Sequence, residues 1–279
     1  MKTQSILRIV ILFIVMQMFA IQVNAQFFDA PIKVLDTANI EISYTLTWKE
    51  DTNNLERVRK ENMILLIGDK TSLFMSENFY DMVHFGRQAE REGRLQQFFD
   101  ENEMEKYRTR FSYRIFKNFP EGKYTYNDKV IPDYLEYTED FGVFNWEFSD
   151  QTDTIGNYNA QSAHCLYGGR KWVAWYTTEI PINDGPYKFY GLPGLIIKLY
   201  DEQEHYVFEL LRVERSDETI AIEYDNRDWV KTERNGFLKA EQNFRNDIIN
   251  RAKEAGMSSS AQQKAARSML KSNNPIELE

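Results

Sequence analysis

The run EIPINDGPYKFYGLPGLIIKLY, Glu179–Tyr200, decides the reading of this chain, because it places a conformationally rigid corner directly in front of an apolar strand. It holds Pro181, Pro186 and Pro193 out of seven prolines and Gly185, Gly191 and Gly194 out of thirteen glycines. Proline fixes φ and biases its predecessor toward extended backbone, and glycine reaches conformations closed to other residues, so such a run has few ways to fold. Leu195–Tyr200 then reads as a buried strand. Just upstream, Tyr158–Tyr167, the turn Gly168-Gly169 and Arg170–Tyr176 form a hairpin signature, since two glycines suit the positive φ angles of a primed turn. Downstream, Asp201-Glu202-Gln203-Glu204 turns the chain into His205–Val213. There apolar residues occupy both alternate sets, as in a strand central to its sheet. Thr219–Tyr224 supplies one more strand.

Further out the same grammar repeats. In Ile40–Trp48 the residues Ile40, Ile42, Tyr44, Leu46 and Trp48 alternate with polar ones, the period of a strand with one packed face. Met63–Ile67, Gly68-Asp69 and Ser72–Met75 read as a hairpin, and Phe111–Lys117, Lys123–Tyr126, Tyr134–Tyr137 and Val143–Phe148 as short strands of a meander, with Trp146 among core aromatics. Ser76–Arg108 breaks the pattern. The spacing of Leu95, Phe98 and Phe99 is helical there, and the segment is expected to be a partly helical insert, either a lid over a cavity or, the preferred reading, a solvated excursion. Asn235–Ala255 carries Phe237, Ala240, Phe244, Ile248 and Ala252 on one helical stripe, with Asn235 as its cap, and is expected to pack on the sheet. The expected fold is α+β, mainly β: one strongly curved antiparallel sheet, a half barrel or bowl, with an inserted helical segment and a C-terminal helix. Residues 26–255 are read as a single domain and 256–279 as a polar C-terminal tail, frayed or only locally helical.

Met1–Ala25 has basic residues at Lys2 and Arg8, an apolar run Ile9–Ile21 and the small-residue end Val23-Asn24-Ala25, the three-part pattern of a cleaved secretory signal. The expected location is the periplasm or outside the cell. The net charge of −9 becomes more acidic by two without that segment, which argues against nucleic acid or an anionic membrane as partner, although a local basic patch remains compatible with it. One cysteine, Cys165, precludes an internal disulfide, and its strand-like neighbours suggest an inert, buried thiol.

The words Gly191-Leu192-Pro193-Gly194-Leu195-Ile196, preceded by Gly169-Arg170-Lys171-Trp172-Val173-Ala174-Trp175-Tyr176-Thr177 and by Glu179-Ile180-Pro181-Ile182 with Gly185-Pro186, resemble the GLPGLI family of secreted Bacteroidetes proteins. The resemblance is most specific over Ile155–Phe208. It implies a signal peptide and a strand-rich layout, a relation to the bowl-like N-terminal domain of a bacterial peptide:N-glycanase, and envelope work beside outer-membrane TonB-dependent receptors. It supplies no catalytic residues.

The residues themselves offer no hydrolase motif: neither G-x-S-x-G nor H-E-x-x-H occurs. His84, His164 and His205 are far apart in sequence, and although His164 and His205 fall on strands read as neighbours, no metal site and no cofactor is expected. Asp184, Asp201, Glu202 and Glu204 fall in turns, where carboxylates are common. Aromatic residues make up 14% of the chain, and Trp172, Trp175, Tyr176, Tyr187, Phe189 and Tyr190 flank the corner, where they can line a concave face. The corner itself (Pro181, Gly185, Pro186, Gly191, Leu192, Pro193, Gly194) is read either as a docking rim or as a plug in which Leu192 and Pro193 turn inward. The plug is preferred for Leu192 and Leu195, with Trp175 and Tyr190 left open between core and cavity. The functional expectation is an envelope binding or accessory protein for an apolar or peptide ligand, or a partner of an outer-membrane transport or assembly protein. The alternatives are an envelope hydrolase whose site in the bowl would show a buried cluster of carboxylates or histidine with strongly shifted pKa, and a module that only stabilises a larger assembly.

Overall fold

The computed structural model describes residues 30–142, 144–254 and 256–278; the leader read over Met1–Ala25, and Val143, lie outside the described residues. Twelve strands follow in chain order: β1 (Ile32–Lys49), β2 (Val58–Gly68), β3 (Ser72–Ser76), β4 (Arg114–Lys117), β5 (Lys123–Val130), β6 (Asp133–Asp140), β7 (Glu147–Ile155), β8 (Tyr158–Tyr167), β9 (Arg170–Thr177), β10 (Leu195–Asp201), β11 (Tyr206–Asp225) and β12 (Val230–Lys231). Helices α1 (Glu77–Arg91), α2 (Leu95–Phe98) and α3 (Glu101–Lys106) follow β3, and α4 (Arg234–Asn246), α5 (Ile248–Glu254) and α6 (Ser259–Leu270) follow β12. The class is α+β, mainly β. All twelve strands lie in one open sheet, ordered β12-β6-β5-β4-β3-β2-β1-β11-β10-β9-β8-β7, antiparallel except for the short β12–β6 pair.

The sheet is curled far from flat. β5 and β8 stand eight steps apart in the sheet order, about 38 Å on a flat sheet at roughly 4.8 Å per strand. Yet the hydroxyls of Tyr124 on β5 and Tyr167 on β8 are 3.1 Å apart. Only a bowl brings them together. Its inner face collects Ile42, Tyr44, Leu46 and Trp48 of β1, Met63 and Leu65 of β2, Phe74 of β3, Ile115 of β4, Tyr124 and Tyr126 of β5, and Trp172, Ala174 and Tyr176 of β9. The intervening residues Ile64, Leu66, Leu73, Met75 and Phe116 point to the outer face, where Phe79 of α1 packs with them and with Trp229. In β1, Ala38 joins the outer cluster although its even number would place it inside; a bulge between Ala38 and Ile40, present against both β2 and β11, switches the face.

Several boundaries differ from the sequence expectation. β11 is one 20-residue strand where two were read, because it pairs along the 18-residue β1. β7 begins at Glu147 rather than Val143, and Phe144 and Trp146 instead turn their rings onto Phe189. The insert is three helices, and α1 covers the outer face of the sheet, away from the bowl interior. The C-terminal stripe is broken at Asp247 into α4 and α5, and the residue before α4 is Glu233, not Asn235. Phe237 of α4 nonetheless packs on Tyr126 and Tyr137 of β5 and β6. The tail also differs: α6 is capped by the Ser258 hydroxyl, which accepts from Ala261 N–H at 3.3 Å, and Asn274 and Glu277 are buried. No helix among the described residues is long and apolar enough to cross a membrane.

Gly194 makes the tightest backbone approach at the corner. At φ +149° a Cβ there would sit 2.1 Å from the Thr177 carbonyl oxygen, whereas at Gly191 (φ +96°) the nearest atom, on Trp146, is 3.7 Å away. Gly194→Ala is therefore expected to cost roughly 3 kcal/mol or more and Gly191→Ala about 1–2 kcal/mol. Urea unfolding of the two variants side by side checks the order; equal losses would contradict the clash.

Candidate functional site

The corner Ile180–Gly194 folds into the bowl and fills it. Lys117, on the inward set of β4 with Ile115, sends its ammonium to Asp184 Oδ1 (2.5 Å), Gly185 O (2.6 Å) and Phe189 O (3.1 Å). Ser72 donates to the other Asp184 oxygen at 2.5 Å, and Tyr44 donates to Ile196 O at 2.8 Å. Leu192 and Leu195 are fully buried, as a plug requires, but Pro193 is exposed; with Gly191 and Gly194 both at positive φ on either side, the chain turns Leu192 inward and Pro193 outward. Trp172, Tyr176, Tyr187 and Phe189 are buried in the inner cluster. Trp175 is half-buried, alternate to Trp172 and Tyr176 along β9. Tyr190 is half-buried and bound on both sides, its hydroxyl accepting from Gly142 N–H at 2.6 Å and its carbonyl from Trp146 Nε1 at 2.9 Å.

Between Tyr187 and Phe189 stands Lys188, which is completely buried. Its Nζ donates to the hydroxyls of Tyr137 (2.6 Å) and Tyr167 (3.1 Å) and pairs with the Glu277 carboxylate. Five tyrosine rings, of Tyr124, Tyr126, Tyr137, Tyr167 and Tyr187, surround it with centroids 5.0–5.5 Å from the nitrogen. An ammonium that has lost its water is thereby repaid by one ion pair, two hydroxyl acceptors and several ring faces. Burial pushes the Lys188 amine down from its ordinary range, against the pull of Glu277. Burial likewise works against ionisation of Glu277, but Lys188 and Arg234 prevail and hold its carboxyl below the usual range. Tyr187 donates to the same carboxylate from a left-handed backbone (φ 56°), a conformation a bulky residue adopts only when its surroundings impose it.

Glu277 arrives on a segment held like a bound peptide. Arg170, itself buried, donates to the Asn274 side chain (2.6 Å), Pro275 O (2.6 Å) and Ile276 O (3.0 Å) while its other arm holds Asp201 at 2.9 Å. Tyr206 donates to Asn274 O at 2.6 Å, and Leu278 N–H donates to Gly168 O at 2.8 Å. Beside this segment lies a chamber of about 150 Å³, enclosed by Tyr113, Tyr126, Tyr137, Tyr187, Tyr206 and Phe237, with Arg110, Asp128, Glu241, Arg245 and Glu277 also on its wall. Asp128 reaches it because it lies on the same alternate set of β5 as Tyr124 and Tyr126. Burial pushes its carboxyl up to about 7 in spite of donations from Ser112 and the Lys129 amide, and the nearby Glu241 adds to the rise; burial raises Glu241 too. The Tyr113 hydroxyl is buried and has no hydrogen-bond partner among the described residues.

Of the residues singled out from sequence, Tyr187 alone borders the chamber, Phe189 packs between Trp172 and Tyr167, and Trp175 and Tyr190 stand elsewhere. Lys188, Arg170, Glu277, Tyr113 and Asp128 were not anticipated. One signal was present: a lysine inside a Pro/Gly-rigid run and flanked by aromatic residues has nowhere polar to go. His164 and His205 are not on neighbouring strands, since β9 and β10 lie between β8 and β11, and His205 instead sits 3.4 Å from Arg170. Among the described residues no group of three or more His, Cys, Asp or Glu side chains is placed to hold a metal. Cys165 is buried and its thiol pushed up to about 12 by burial.

A family model described as a protein of unknown function (Porph_ging) matches residues 167–198, which begin at the last residue of β8 and end in β10. No curated protein matches the chain. Among solved structures the fold is similar to that of PNGF-II in two crystal forms, each with a TM-score of 0.50 and 12% identity over 75% of this chain. The likeness covers 34% and 33% of those chains, so this chain spans about a third of the protein it resembles.

Removing one partner of the buried pair is expected to be costly: Lys188→Met and Glu277→Gln should each lose about 3 kcal/mol, and the double variant less than the sum. A double-mutant cycle by urea unfolding checks this, and strict additivity would contradict the pairing. Asp128 carries a pH signature. The folded chain keeps its proton up to about pH 7, while an unfolded aspartate has lost it near 3.8, so this group makes stability fall as pH rises across that window and adds no slope above it. Asp128→Asn should remove that fall, with a gain on the order of 4 kcal/mol at pH 8 relative to pH 4.

Proposed function

We propose that this chain is a binding module of the cell envelope that grips a larger ligand, a peptide or an apolar molecule, by taking one side-chain-sized group into the chamber of the bowl. The observation that carries the reading is the Tyr113 hydroxyl, buried against the chamber with no partner, since a group so placed is normally satisfied. At about 30 Å³ per heavy atom the chamber admits roughly five atoms, the size of one side chain, so the rest of the ligand remains outside. Tyrosine and phenylalanine rings supply the apolar wall, and Asp128, holding its proton to about pH 7, supplies a hydrogen-bond donor. Arg110 and Arg245 stand at the same wall and favour a ligand with acceptor or anionic groups beyond the inserted one. Support for a module comes from the fold recurring as about a third of PNGF-II. Support for the envelope comes from the leader pattern and the GLPGLI resemblance, whose implied neighbours, the TonB-dependent outer-membrane receptors, are the partner class we propose for the assembled module.

The two carboxyls with raised pKa also meet the expectation set for a hydrolase. No serine, cysteine, threonine or histidine among the described residues lines the chamber, however, so such an enzyme would have to work with carboxyl, tyrosine and arginine side chains.

Leu238, half-buried on the chamber wall, gives the test. Native mass spectrometry of the mature protein taken gently from its own envelope should show an adduct on the wild type that Leu238→Trp, which fills the chamber, and Tyr113→Phe lose or weaken. An adduct retained by Leu238→Trp, or none on any form, would reject the chamber as the binding site.

A further inference from the structure

The outer face of the sheet carries a second hollow of a different chemical character. Beside α1, which packs on β2 and β3, lies a groove of about 340 Å³ with Ile32, Leu73, Met75, Val83 and Ile220 along it. The same groove is walled by three arginines, Arg87, Arg91 and Arg114, against one carboxylate, Glu223. The lining thus carries three positive charges and one negative on a chain whose net charge is −9, and Asp225, which Arg114 contacts, is shared with Arg227. This is the local basic patch that the overall balance hides.

Two of these arginines are incompletely satisfied. Arg87 pairs through Nη1 with Glu223, but its Nε is buried without a partner. Arg114, whose side chain is 9% exposed, has one long contact to Asp225 (3.5 Å), and its Nε too has no partner. Rings hold Arg114 in place: its guanidinium carbon lies 5.8 Å from the Phe79 centroid and 5.6 Å from that of Trp229. Arg91 is exposed on the last turn of α1 and forms no salt bridge among the described residues. Preorganised guanidinium N–H groups with no acceptor, beside an apolar trough, are the recognition elements for an oxyanion on an apolar chain.

We propose that this groove binds a single-chain amphiphile with a carboxylate head, the head on Arg87 and Arg114 with Arg91 beside it, and the alkyl chain along Leu73, Met75 and Ile220. A carboxylate suits the head because its two oxygens can accept from two guanidinium groups at once. The volume suits the tail: at about 30 Å³ per heavy atom the groove takes roughly eleven atoms, close to the twelve of decanoate. No residue lines both this groove and the chamber.

The probe is sodium decanoate, titrated calorimetrically into the full mature chain. Decanoate is expected to bind at least about tenfold tighter than decanol, which lacks the charge, and than acetate, which lacks the tail. Arg91→Glu, at an exposed position, should weaken decanoate by about tenfold with the melting temperature unchanged, and Ala221→Phe, which fills the groove, should abolish binding. Decanol binding as tightly as decanoate, or an unaltered affinity in Arg91→Glu, overturns the proposal. Decyl phosphate binding tenfold tighter than decanoate overturns the choice of carboxylate, and Leu238→Trp losing decanoate would move the ligand to the chamber.

Discussion

The organising constraint of this molecule is the ammonium of Lys188. A charge taken wholly out of water is costly unless paired and hydrogen-bonded, and here five separate parts of the chain contribute to its solvation. β5 and β6 provide Tyr124, Tyr126 and Tyr137, β8 provides Tyr167, the corner provides Tyr187, and the segment after α6 provides the carboxylate of Glu277. These elements are remote in sheet order, so their convergence on one nitrogen fixes how far the sheet must curl. Burying the pair rather than an apolar side chain is not the most stabilising choice available; what it adds is geometric selectivity, because only one arrangement of the corner satisfies the charge.

The two faces of the sheet then divide the chemistry. Strand alternation sends tyrosines and Lys117 inward and sends Arg114, Glu136 and the apolar set under α1 outward. Inside, polar groups are mostly satisfied by one another, and the chamber is small because the corner and the 272–278 segment occupy most of the bowl. Outside, α1 covers only part of the apolar surface, and the arginines at its margin keep unused donors. A peptide-like segment already lies in the bowl, held by Arg170 through consecutive carbonyl groups, which is how extended ligands are commonly gripped: backbone contacts for affinity and one inserted side chain for selectivity.

Much of the fold was legible. The period-two alternation of Ile40–Trp48, the Gly168-Gly169 hairpin and the rigid corner all follow from local stereochemistry, and each appears where it was read. β11 was misjudged because Arg212–Glu218 is strongly charged and resembles a turn, whereas in the sheet Arg212, Val213, Glu214 and Arg215 pair with β1. The tail was misjudged for the opposite reason: Glu277 sits in a polar, low-hydrophobicity segment, and nothing local reveals that a lysine 89 residues earlier in the chain awaits its charge. The candidate site was legible only in outline. The aromatic run around Tyr187 marked the region, but the groups that make it a site, Tyr113, Asp128 and Glu241, come from three separate elements and acquire their character only from burial.

The pairing of β1 with β11 has a bearing on how the molecule assembles. Neighbouring hairpins such as β4–β5–β6 and β8–β9–β10 rest on contacts close in sequence and can form early, but Trp48 meets Tyr206 and Lys188 meets Glu277 only after long loops are closed. Such topology raises contact order and slows folding. A chain that emerges from its N-terminus completes β1 well before β11, so one long edge of β1 stays unpaired in the interval, and an edge of that kind is an aggregation hazard until it is covered.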